Sequence, residues 1–289
     1  ARMRHSTTFL MSLIVASILV LMFLNLVLGS VSIPLKSVWN IICGLGDEPV
    51  TWQNIVWKSR LPQALTALVA GAGLAISGLE MQTVFRNPLA GPSVLGISSG
   101  ASMGVAFVVL LSGSLGGVAL SKLGVMGEIA LSIAAVIGSL SVMALIVYVS
   151  QKVKGNVTLL IIGVMIGYVA NAVIGVLKFF SVEEDIRAYV IWGLGSFSRV
   201  SGNQMMLFVA IMAILIPLSF LLIKTLNLML LGDGYARNLG LNIKRARLLV
   251  ITSAGVLTAI VTAYCGPVIF LGLAVPHLCR AIFQTSDHR

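Results

Sequence analysis

From Phe9 to Gly29 the chain runs through 21 residues without a charge. A stretch of that length and character matches the apolar thickness of a bilayer. In lipid every backbone N–H and C=O must be satisfied within the segment, so such a run has to be helical. The pattern recurs. Leu61–Phe85, Ser93–Leu111, Ile129–Val149, Val157–Phe179, Met205–Ile223, Leu248–Tyr264 and Val268–Phe283 are the further apolar segments. The expectation is an all-α polytopic transmembrane bundle of about eight spans, with residues 1–289 forming one domain. The first run is too long for a cleaved leader and lacks a small-residue cleavage site, so it reads as a retained span.

Composition agrees. Charged residues make up 10% of the chain and hydrophobic ones 58%, whereas a soluble domain is about a quarter charged. The net charge of +10 does not point to nucleic acid, because the basic residues flank the apolar runs. With the N-terminus inside, 12 of the 19 Lys and Arg fall on the inner side, and 3 of the 9 acids. The positive-inside rule then puts the N-terminus in the cytoplasm. Cys43, Cys265 and Cys279 have no metal-ligand spacing and read as small packing residues.

Between the sixth and seventh spans lies a polar interlude, Leu226–Arg247. Asp233 reads as the N-cap of a short helix over Tyr235–Leu239, and Gly240 as its left-handed stop. Lys244, Arg245 and Arg247 follow. This is more than a turn requires, and it reads as a small cytoplasmic platform offered to another protein. On the other side, Lys58 and Arg60 stand at the mouth of the second span, either as interfacial anchors or as partners for acids on a docking protein. A second short helix is expected over Glu183–Trp192, its acidic start suiting the helix dipole.

Two parts of the chain echo each other. TALVAGAGLAISG resembles TSAGVLTAIVTAYCG, and the Gly91-Pro92 corner leading to Gly96 resembles Gly266-Pro267 leading to Gly272. An offset of five spans is odd, so the copies run in opposite directions, the inverted-repeat plan of transporters. The repeat also predicts two further spans beyond those present. Gly100/Gly104 and Gly163/Gly167 are small-residue pairs that let helices approach closely.

No nucleotide-binding Gly-rich loop ending in Gly-Lys-Ser/Thr, no HExxH and no GxSxG occurs. His277 reads as a helix-end packing residue. Glu80, the one acid inside an apolar run, is a functional candidate by its position, but its nearness to Arg86 suggests a structural ion pair. Ion-coupled secondary transport is the alternative mechanism, and it would want a second buried acid that the spans do not offer.

At RLPQALTALVAGAGLAISGLEMQTVFRNPLAGPSVLGISSGAS, WGLGSFSRVS, LGDGYARNLGLN and GPVIFLGLAVPHLCR…SDHR the chain resembles the permease family of type II ABC importers for cobalamin, haem and ferric siderophores. The resemblance implies a ten-span permease of a bacterial inner membrane, not itself an enzyme and without a cofactor of its own. It implies a homodimer with two cytoplasmic ATPase subunits, which bind the ATP, and an extracytoplasmic substrate-binding protein. Carried over by position, the ATPase-coupling helix falls on Gly232, Asp233, Ala236, Arg237, Leu239, Gly240 and Leu241. Arg60, with Lys58 beside it, would dock the binding protein, although Gln63 departs from an arginine often found there. Asn156, Val157 and Thr158 fall at an inner gate, and Gly163 and Gly167 along the pathway.

Overall fold

The computed structural model describes residues 2–114, 125–153, 155–200 and 202–288. Lys122, Lys154 and Arg289, used in the charge count, lie outside them. Among the described residues every regular element is helical: α1 (Arg2–Val27), α2 (Leu35–Cys43), α3 (Val50–Ile55), α4 (Leu61–Phe85), α5 (Ile97–Ser114), α6 (Val125–Lys152), α7 (Asn156–Phe179), α8 (Glu183–Gly193), α9 (Gly202–Phe220), α10 (Ile223–Leu230), α11 (Asp233–Asn238), α12 (Ile243–Cys265) and α13 (Leu271–Phe283). A π turn, Val56–Arg60, joins α3 to α4.

Six stretches are long and apolar enough to cross a membrane: Thr7–Val27, Val50–Phe85, Met126–Lys152, Asn156–Phe179, Gly202–Phe220 and Ile243–Cys265. Ile97–Leu111 and Leu271–Phe283 are shorter apolar helices, so the eight expected segments all appear. The third begins later than expected, because Pro92–Leu95 forms a 3-10 turn and Gly96 adopts φ 74. A side chain at Gly96 would be strained in that conformation and would also press on the Gly163 carbonyl, with Cβ 2.9 Å from it.

The core is built on α4 and α12, which run antiparallel. Gly73 lies by Leu257 and Val261, Ser77 donates to the Ala254 carbonyl at 2.8 Å, and Glu80 meets Ser253. Residue numbers rise along one helix as they fall along the other. Each of the two helices leads through a Gly-Pro corner to a shorter apolar helix, α5 or α13. The echo seen in the sequence is thus matched by a shared local architecture in opposed orientation.

Close helix approach depends on absent side chains. A Cβ on Gly78 would lie 1.6 Å from the Gly272 carbonyl oxygen, joining α4 to α13. One on Gly104 would lie 2.2 Å from the Ala134 oxygen, and one on Gly138 2.1 Å from the Gly100 oxygen, joining α5 to α6. Small residues do this work in bilayers, where association relies on close packing, because lipid tails are as apolar as the helices they surround.

Candidate functional site

The polar interlude folds as two short helices ahead of α12. The chain leaves α9 at Phe220 and runs through α10, whose Leu226 and Met229 are buried against the bundle. It turns at Gly232 (φ 99), forms α11, and stops at Gly240 (φ 88). The left-handed stop is where the sequence placed it. Asp233 differs: it is the first helical residue and caps nothing with its side chain. Lys244, Arg245 and Arg247 belong to the first turns of α12, opened by Asn242, whose side-chain oxygen accepts from the Arg245 amide at 3.2 Å.

In α11 Ala236 is fully buried and anchors the helix to the body, while Tyr235 (73%) and Leu239 (61%) stand out and Arg237 is exposed beside them. Large exposed apolar side chains next to a guanidinium, on a short rigid helix, form a surface suited to a protein partner. Gly240 and Leu241 close its far edge, where a shallow cleft runs on to Lys244.

What holds this platform is the last turn of α4. Arg86 follows that helix in a left-handed conformation (φ 47) and forms an ion pair with Asp233. Glu80 is therefore not its partner. Glu80 accepts from Ser253 Oγ at 2.9 Å, and its other oxygen has no partner among the described residues. The Val84 carbonyl accepts from Asn156 Nδ2 at 2.7 Å, tying the start of α7 to the same turn. Gln82 Oε1 accepts from Arg280 of α13 at 2.8 Å. Thr83 Oγ1 meets His288 Nε2 at 2.8 Å, and His288 Nδ1 lies 2.6 Å from Asn227 Oδ1 in α10. Burial lowers the His288 pKa below its ordinary value, and the nearby Arg280 charge adds to the effect. Four elements thus converge on residues 82–86. Gln82, Thr83 and Arg86 were missed as a group in the sequence, where the only signal was a polar run closing an apolar span.

The other expected residues separate. Val157 (71%) and Thr158 are exposed beside the half-buried Asn156 at the platform end. Gly163 packs closely against Leu95, and the half-buried Gly167 lies beside Ser99. His277 is exposed on α13, not packed.

At the opposite end Lys58 is exposed and Arg60 is not. Arg60 is 4% exposed; its guanidinium donates to the carbonyls of Leu26 (2.9 Å), Val27 (2.8 Å) and Val31. A helix ends with carbonyls that lack intrahelical partners, and Arg60 satisfies those of α1. The expectation of a free docking charge at Arg60 is corrected accordingly, because its donors are spent inside the chain.

Comparison with known proteins adds a separate line of observation. The FecCD transport family matches residues 17–289. The hemin transport system permease protein HmuU of Yersinia pestis is 34% identical over 264 residues, spanning 91% of this chain and 75% of that protein. The vitamin B12 import system permease protein BtuC of Klebsiella pneumoniae is 34% identical over 238 residues, spanning 82% of this chain and 68% of that protein. A solved inward-facing metal-chelate type ABC transporter superposes with a TM-score of 0.78 at 26% identity, covering 93% of this chain and 80% of that one.

Proposed function

The chain belongs to the FecCD transport family, and from that premise we propose that it is the membrane permease of an ATP-driven importer for a metal chelate, haem or cobalamin. It performs no bond chemistry. As a homodimer it forms the passage through a bacterial inner membrane with its N-terminus in the cytoplasm, and an extracytoplasmic binding protein delivers the cargo. Cytoplasmic ATPase subunits bind the nucleotide and grip α11.

The single observation that carries this reading is the build of α11: anchored by buried Ala236, exposed through Tyr235, Arg237 and Leu239, and bound through Asp233 to the end of α4. A partner that pulls on the exposed face moves a helix fastened to a span. Motion of α11 is passed through Arg86 to residues 82–86, and from there to α7, α10 and α13. Alternation between two openings then follows from the partner's preference for one arrangement. Asn156, bonded to the same turn through the Val84 carbonyl, and its neighbours Val157 and Thr158 are the proposed inner gate. Ion-coupled transport finds less support: among the described residues Glu80 is the acid buried within the spans, and Ser253 already bonds it.

The test is the double variant R237A/L239A, reconstituted with the ATPase and binding protein. Uptake should fall at least tenfold, about 1.4 kcal/mol of lost coupling, with insertion and melting unchanged. Full uptake by the variant, or by vesicles holding no ATPase, would refute the reading.

A further inference from the structure

Where α6 and α9 begin and α12 ends, at the end of the bundle opposite the platform, a cavity of about 280 Å³ opens. Glu128, Ser132, Trp192, Arg199 and Gln204 form the polar part of its wall. Three of these carry buried donors with no acceptor among the described residues: Trp192 Nε1, Arg199 Nη1 and Gln204 Nε2. Trp192 is 2% exposed, so bulk water does not serve its N–H. A buried donor left without an acceptor is destabilising, and a charged one more so. Three such donors on one cavity are explained by a ligand that brings acceptor oxygens.

The guanidinium is held in place for such a ligand. Arg199 lies 5.9 Å over the Trp192 ring, and its Nη2 reaches the Ile191 carbonyl at 3.4 Å, a long contact. Among the described residues it forms no salt bridge within 4.0 Å, and the Glu128 carboxylate across the cavity favours its charged form. Three donors around one cavity, one of them cationic, fit the oxygens of a phosphate, which a guanidinium recognises well. Two further features narrow the source. The cavity sits at the ends of apolar spans, and the flanking helices carry exposed Ile129 and Ile133 on α6 and Leu207 on α9, an apolar surface for acyl chains. Glu128 brings a carboxylate to the same cavity, which complements an amine.

We propose that this cavity binds the headgroup of a zwitterionic aminophospholipid, with Trp192, Arg199 and Gln204 donating to the phosphate and Glu128 facing the ammonium. Such a lipid would brace α8 against α6, α9 and α12.

The experiment is native mass spectrometry of the full chain in detergent, titrated with phosphatidylethanolamine, phosphatidylglycerol and a diacylglycerol of the same acyl chains. Phosphatidylethanolamine should bind at least tenfold more tightly than the diacylglycerol. W192F, which keeps a ring and removes the N–H, and R199Q should each weaken it several-fold at unchanged melting temperature. E128Q should erase the preference over phosphatidylglycerol. Competition by soluble phosphorylethanolamine at equal concentration would support the phosphate site and assign it to a soluble ligand. Equal binding of the diacylglycerol, or undiminished binding by both W192F and R199Q, would overturn the proposal.

Discussion

Arg86 and Asp233 form an ion pair across 147 residues of sequence, joining the left-handed end of α4 to the first residue of α11. Both side chains are 45% exposed, so the pair adds little to stability, at most about 1 kcal/mol. Its consequence is mechanical: it fixes where a surface helix stands relative to a buried span.

D233N should therefore leave the melting temperature nearly unchanged and reduce ATP-driven uptake several-fold. R86G is the sharper variant. Glycine accepts φ 47 without strain, so the backbone is relieved while the ion pair is lost. Uptake by R86G should fall as in D233N, and the charge swap R86D/D233R should restore part of it. Wild-type uptake in R86G would show that the pair transmits nothing.

Lys58 and Arg60 should part company. K58E, at an exposed position, should weaken docking of an acidic binding protein, the more so at low salt because exposed charges are screened. R60A strips the end of α1 of its donors and should cost about 2–3 kcal/mol, by the worth of charged hydrogen bonds in buried surroundings. Thermal melting in detergent separates the two. A stable R60A protein with poor docking would return Arg60 to the surface role.

Glycines should divide by what surrounds them. G78A drives a methyl into the Gly272 carbonyl and G104A into that of Ala134, and each should lose roughly 3 kcal/mol, at the upper end of overpacking costs. At Gly71 in α4 and Gly175 in α7 an added methyl would meet nothing within 4 Å. G71A and G175A should be neutral or gain up to about 1 kcal/mol from helix propensity. Similar losses in all four would show that these helices are packed otherwise.

His288 sets a pH dependence of known sign. Its pKa is lowered on folding, by burial first and by Arg280 next, so the folded state resists a proton that the unfolded chain accepts near 6.5. The contribution is constant above that pH. It is lost as pH falls from about 6.5 toward the folded pKa, at a slope of at most ~1.4 kcal/mol per pH unit. Melting measured from pH 8 to pH 5 should show this drop in the wild type and a flatter profile in H288Q. An identical drop in H288Q would assign it to another group.

The fold class, the eight apolar segments, the opposed repeat and the site of the platform were legible in the sequence, because each rests on neighbours in the chain. A run without charge must be helical in lipid wherever it goes, and Gly240 ends α11 by its own conformational freedom. Even α8 was readable, since Glu183, Glu184 and Asp185 suit a helix start.

Partners were not legible. Arg60 reaches carbonyls 29 to 34 residues away, Glu80 is met by Ser253, and Arg86 turns from the nearby Glu80 to Asp233. Sequence proximity suggested the wrong pair because Glu80 faces α12, while Arg86, past the end of α4, swings out to the platform. The three unmet donors around Glu128 come from α8, the Phe197–Arg199 turn and the start of α9. Local chemistry sets where a helix begins and ends; only packing decides which side chains share a space, since that depends on helix rotation and on the glycines that let backbones touch.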